Sequence, residues 1–100
     1  MMRYVQFLPA AEIEGVEAID WYEEREPGLG RAFRKSVESA IYSIQLNPLA
    51  YPVIHGSKIR HALTDRFPYS IIYSIEIKSI LIIAIFHQSR NPMIWRERIG

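Results

Sequence analysis

From Ile80 to Phe86 the chain carries no polar side chain. The run is far shorter than the roughly 20 residues that an apolar helix needs to cross a bilayer. As a strand it points Ile80, Ile82, Ala84 and Phe86 one way and Leu81, Ile83 and Ile85 the other, because successive side chains of a strand alternate between faces. Both faces are apolar, so the strand must lie inside a sheet that is covered on two sides. Its partner precedes it: Ser70 to Ile75, rich in Ile and Tyr, is joined to Ser79 to Phe86 through Glu76-Ile77-Lys78 as a hairpin. A weaker strand covers Ile59 to Leu63. At the other end of the chain, Arg3 to Leu8 alternates around Val5 and Phe7 until Pro9 and reads as a short, half-buried strand.

The layer for one face comes from the first half of the sequence. Ala11 to Arg25 places Ala11, Ala18, Ile19, Trp21 and Tyr22 on one side of a helix, and Glu26-Pro27-Gly28 breaks it. Leu29, Phe33, Val37, Ala40, Ile41 and Ile44 then recur at helical spacing up to Asn47-Pro48. The two helices form an antiparallel hairpin, with Trp21, Tyr22, Phe33 and Tyr42 expected in the core. Residues 48–57, with two prolines and a glycine, are expected as a loop into the sheet. The second face is left to the C-terminal segment or to a partner chain. In that segment Asn91 can cap, Pro92 can open a short helix, and Met93, Ile94 and Trp95 are apolar. The order is β-α-α-β-β-β with a short terminal helix, an α+β layer pair in a single domain over residues 1–100.

A net charge of +1 conceals a segregation along the sequence. Seven of the 11 acids (Glu12, Glu14, Glu17, Asp20, Glu23, Glu24, Glu26) fall within residues 12–26, whereas the chain from Pro27 onward carries +6 and all three histidines. A basic second half suits phosphates or an acidic protein partner, or simply a solvated surface. With no cysteine there is neither a disulfide framework nor a thiolate metal site. Three separated histidines without local carboxylate spacing give no zinc site, and no cofactor is expected. Residues 1–10 lack the pattern of a signal peptide, so a cytoplasmic protein without membrane attachment is the expectation. Ile13 and Val16 lie opposite the apolar stripe of the first helix, among its acids, and are candidates for a partner contact.

Ordered along the chain are Ala11, Glu14, Ala18 and Tyr22; Gly28-Leu29-Gly30 and Phe33; Ala40-Ile41, Ile44, Asn47-Pro48 and Tyr51-Pro52; Arg60 and Leu63; and Arg66-Phe67-Pro68-Tyr69 with Ile72-Tyr73. Ile85-Phe86-His87, Arg90, Pro92 and Trp95 follow, with Arg98 behind them. This set resembles the RelE/ParE superfamily of bacterial toxins, the toxin halves of type II toxin-antitoxin (plasmid stabilisation) pairs. The resemblance implies an antiparallel-type sheet with a helical hairpin on one face. It also implies a toxin that arrests growth and is neutralised by a cognate antitoxin, as a homodimer or a toxin-antitoxin hetero-oligomer. RelE-like members cut messenger RNA on the ribosome, whereas ParE-like members inhibit DNA gyrase and are not regarded as nucleases.

Cutting RNA through its own 2′-hydroxyl needs a base, an acid and cations around the pentacovalent phosphate. Arg60, His61, Arg66, His87 and Arg90 are the candidates for that chemistry if the three strands lie side by side. Lys58, Arg60, Arg66, Arg90 and Trp95 are the candidates for binding a target in either case. Against cleavage, Trp95 stands where nuclease members often carry a Tyr or His, and indole stacks on a base without usefully donating a proton. His87-Gln88-Ser89 after Ile85-Phe86 is also the more ParE-like phrase, so the gyrase-inhibiting branch is favoured.

Overall fold

The computed structural model describes residues 2–99. Strand β1 (Tyr4–Phe7) leads into helix α1 (Pro9–Arg25), and helix α2 (Leu29–Leu46) returns antiparallel to it. A 3-10 turn (Pro48–Ala50) precedes strands β2 (Val53–His55), β3 (Ile59–Leu63), β4 (Tyr69–Ile75) and β5 (Ser79–His87). Helix α3 (Met93–Arg96) and a 3-10 turn (Glu97–Ile99) complete the described chain. The five strands form one sheet in the order β1-β5-β4-β3-β2, with β1 parallel to β5 and every other pair antiparallel. This is the α+β architecture expected from the sequence, with β5 inside the sheet. The added strand is β2, three residues long, in the stretch expected to be a loop; such a short edge strand between Pro52 and Gly56 carries no period of its own.

Local chemistry fixes the hairpin. Pro9 opens α1 rather than only ending β1, since the first turn of a helix needs no donor at that position. At the turn, Gly28 has φ +90°, a left-handed geometry that suits glycine. Glu23 reaches across from α1 to accept from the backbone N–H of Gly28 at 3.0 Å and of Gly30 at 3.0 Å, so one carboxylate caps the N-terminus of α2. At Gly30 the two helices touch closely: a β-carbon there would stand 2.6 Å from the Ile19 carbonyl oxygen.

The hairpin buries Ala11, Ala18, Phe33, Val37, Ile41 and Ile44 against Ile71, Tyr73, Ile80, Ile82 and Ile85. On the second face, Trp95 of α3 packs with Ile59, Ile72, Ile83, Ala84 and Phe86. The C-terminal segment is therefore the cover for that face. The Asn91 side chain accepts from the Met93 N–H at 3.0 Å and holds the start of α3.

Two expectations about side-chain direction are corrected. Trp21 and Tyr42 are 49% and 55% exposed instead of buried. The buried stripe of α1 is Ala11, Gly15 and Ala18, and that of α2 is Phe33, Val37, Ile41 and Ile44, so Trp21 stands about 90° and Tyr42 about 145° off the inward direction. In β5, Ile72 faces Ala84 while Tyr73 faces Ile82, which leaves Ile83 as an extra residue. This bulge reverses the alternation. Ile80, Ile82 and Ile85 face the helices, and Ile83, Ala84 and Phe86 face Trp95, so Ala84 and Phe86 are not on the side of Ile80 and Ile82. The same reversal carries His87 to the helical side, edge-on to Tyr69 with ring centroids 5.1 Å apart.

Candidate target-binding surface

The cations singled out from the sequence divide between the two faces of the sheet. Arg60 and His61 are adjacent on β3 and point to opposite sides. Arg60 lies on the helical side, where Nη1 donates to the Tyr51 carbonyl at 2.5 Å, and its partner across the strands is Tyr73. Tyr73 is fully buried and its hydroxyl donates to the Pro48 carbonyl at 2.6 Å; burial pushes its phenol up to about 12, against the opposing effect of the Arg60 charge. Arg60 and Tyr73 thus pin the turn after α2 to the sheet, and Arg60 is removed from His61.

Arg66 is exposed in the loop between β3 and β4, with φ 73°, and its guanidinium lies 5.4 Å from the centre of the Phe67 ring. That loop docks against α2, where the Ser36 hydroxyl donates to the Asp65 carbonyl at 2.6 Å. Lys58 lies in the turn before β3 and lines a separate groove of about 540 Å³ with His55, Arg96 and Arg98. Lys58, Arg60 and Arg66 therefore do not converge with the remaining candidates.

His61, His87 and Arg90 border one groove, although the His87 ring itself stands on the helical side against Tyr69. This groove, of about 420 Å³, lies on the second face, around Trp95, and is also lined by Gln88 and Arg96. Partial burial lowers the His61 pKa, which keeps the ring neutral at pH 7. His87 Nδ1 accepts from the Ser89 backbone N–H at 3.0 Å and lies 2.8 Å from the Ser89 hydroxyl. A backbone N–H only donates, so the neutral ring carries its proton on Nε2 and offers a donor, not a base, to anything that approaches. Trp95 is 3% exposed, which leaves little of the indole for stacking on a base. Arg90 lies 4.6 Å from the centre of the Phe86 ring and is paired with Glu14 at 2.9 Å.

His87 and Arg90 also line a second opening, about 390 Å³, on the helical side, between α1, the start of β4 and the end of β5. Trp21, Tyr22, Tyr69 and Glu17 form its other walls. The Arg25 guanidinium covers the Trp21 ring at 3.7 Å, which accounts for a tryptophan that is half exposed on a helix. Burial raises the phenols of Tyr22 and Tyr69 above their usual range. Ile13 and Val16 are each 57% exposed and line a shallow apolar depression between Glu12 and Glu17.

Arg96, His55 and Glu14 were not among the site residues expected from the sequence, Glu14 entering only through the family resemblance. Arg96 borders both grooves of the second face, and its Nε is buried without a hydrogen-bond partner among the described residues. Glu14 had a readable signal: it follows Ala11 by three residues and precedes Ala18 by four, so it lies on the buried stripe of α1, where a carboxylate requires partners. Among the described residues no three His, Asp or Glu side chains are grouped to hold a metal ion, and no helix is long and apolar enough to cross a membrane.

Comparisons with known proteins bear on the fold and the family. No curated protein matches the chain. Among solved structures, the chain is similar to one described as the chromosomal ParDE TA system from P. aeruginosa, with a TM-score of 0.69 and 19% sequence identity over 86% of this chain and 96% of that one. At that identity the likeness concerns the fold. The family of the ParE toxin of type II toxin-antitoxin system, parDE, matches residues 5–92, most of the sequence. The chain belongs to the ParE toxin family of type II toxin-antitoxin systems.

Proposed function

We propose that this toxin arrests growth by binding DNA gyrase through protein-protein contact, without catalysis, and that a cognate antitoxin neutralises it in a toxin-antitoxin hetero-oligomer. The observation that carries this reading is the dispersal of the candidate catalytic set. Arg60 is committed to the Tyr51 carbonyl and Arg66 stands in a loop docked on α2. The three groups that do share a groove lack a complete acid-base pair. His61 is held neutral, and His87 has its Nδ1 engaged by the Ser89 backbone N–H and its ring on the helical side, away from His61. What remains is a basic rim, Arg90 and Arg96 around Trp95, suited to contact an acidic protein surface. The exposed Ile13 and Val16, ringed by the acids of α1, form a second contact surface that suits the antitoxin.

The test is induction of the chain alone in bacteria carrying a DNA-damage reporter, with labelled methionine incorporation followed over the first minutes. A reporter rise while translation continues is the expected result. An immediate stop in translation with a silent reporter would instead assign a ribosome-dependent messenger RNA nuclease built on His61, His87 and Arg90. Replacing Ile13 and Val16 by serine should weaken capture by the antitoxin without changing growth arrest.

A further inference from the structure

Strand β1 stops at Phe7, opposite Ile82 of β5, and its last bond to that strand runs from the Leu8 N–H to the Ile82 carbonyl at 3.0 Å. Beyond this point the edge of β5 is completed by side chains. Arg98 Nη1 donates to the Ile83 carbonyl at 3.1 Å, and the Ile85 N–H donates to Glu14 Oε1 at 3.1 Å. The two side chains are themselves joined as a fork, Arg98 Nη1 to Oε1 at 2.8 Å and Nη2 to Oε2 at 2.7 Å. Arg90 Nη1 adds a bond to Oε2 at 2.9 Å. One carboxylate, 9% exposed, thus accepts four hydrogen bonds from three segments: β5, the loop that follows it and the C-terminal turn. Its lone pairs are filled, and hydrogen bonding to Glu14 raises the Arg98 pKa.

We propose that Glu14 is a positioning residue for the target-binding surface. Its carboxylate sets where Arg90 is presented and, through Arg98, holds the turn Glu97–Ile99 and so α3, with Arg96 at the groove rim, against the sheet. This role rests on the basic groove being the surface that meets the target. Glutamine at position 14 keeps the volume and one acceptor oxygen, but sets an amide NH2 against two guanidinium groups and so breaks the fork.

The test uses the full chain with Glu14→Gln and reads two signals. In 15N spectra of the arginine side chains, the Nη–H groups of Arg90 and Arg98, which donate to Glu14, should give resolved, slowly exchanging signals that move toward the positions of free arginine in the variant. Signals that stay in place overturn the proposal. In cells, at matched levels of soluble protein, the variant should need about tenfold more inducer to arrest growth, the factor for one lost charge-assisted bond. Glu14→Gln should add nothing further in an Arg90→Gln/Arg98→Gln background, since it acts through those residues; an added loss there marks a purely structural role and overturns the proposal. If Glu14→Gln does not fold, Arg98→Lys, which keeps the charge and removes the fork, is read in the same way. A wild-type chain that fails to arrest growth overturns the toxin reading, and the arginine signals still decide whether Glu14 fixes its partners.

Discussion

Replacing Trp95 by alanine tests whether α3 is a structural cover or a loose tail. The indole is 3% exposed and packs on Ile59, Ile72, Ile83, Ala84 and Phe86. A buried tryptophan removes roughly 200 Å² from water, worth about 5 kcal/mol at 25 cal/mol per Å². This is an upper bound, because the unfolded chain is not fully extended and a terminal helix can settle partly into the space left. A loss of about 3–4 kcal/mol is expected, within the range for removing a large aromatic side chain from a core. For a domain of this size total stability is about 5–15 kcal/mol, and each 1 kcal/mol moves the melting temperature by roughly 4–8 °C. Trp95→Ala should therefore melt at least about 12 °C lower. The assay is urea unfolding followed by far-ultraviolet circular dichroism, with the slope compared between the two proteins. A loss under about 1 kcal/mol with an unchanged slope would refute the packing argument. Growth arrest by Trp95 variants should fall in step with their folded fraction, because the ring supports the groove more than it faces a target.

Other positions give independent tests. The Tyr73 phenol is pushed up to about 12 from 10.0, so the folded state holds its proton more tightly than the unfolded state. Its contribution is full below pH 10 and is lost as the pH rises from 10 to 12; Tyr73→Phe should be less stable by about 1–2 kcal/mol at pH 8 in urea titrations and should lack that alkaline decline. Arg66 holds φ 73°, a strained geometry for a side-chain-bearing residue. Arg66→Gly should thus stabilise by about 0.5–1 kcal/mol in thermal melts and leave growth arrest unchanged, whereas lost arrest would place Arg66 in the target contact. Gly30→Ala gains helix propensity but forces a β-carbon to within 2.6 Å of the Ile19 carbonyl oxygen. Its expected net effect is a loss of about 1–2 kcal/mol, and a stabilised variant would contradict the close helix crossing.

The hairpin of helices was legible because Phe33, Val37, Ile41 and Ile44 repeat with a helical period and Pro27-Gly28 marks the turn. The bulge at Ile83 was not. In a strand whose residues are all apolar, moving the register by one leaves the pattern unchanged, and only pairing with Ile72 and Tyr73 reveals the extra residue. That hidden reversal decides the face on which His87 stands. The separation of Arg60 from His61, by contrast, follows from their adjacency on β3 and was available from the alternation rule alone. Arg66 was misleading because charge reveals nothing about a left-handed turn. Glu14 is the sharpest case: the motif contained it, but its partners Arg90 and Arg98 are distant in sequence and only the fold brings them together.

That separation has a consequence in time. Glu14 and Arg98 are 84 positions apart, so on a growing chain the carboxylate emerges from the ribosome long before the guanidinium that fills it. β1 likewise waits for β5, the strand it pairs with. During synthesis the helical hairpin, whose contacts are local, can form early, while the basic groove is assembled last. The outer helical surface is thus exposed before the groove around Trp95 has taken shape.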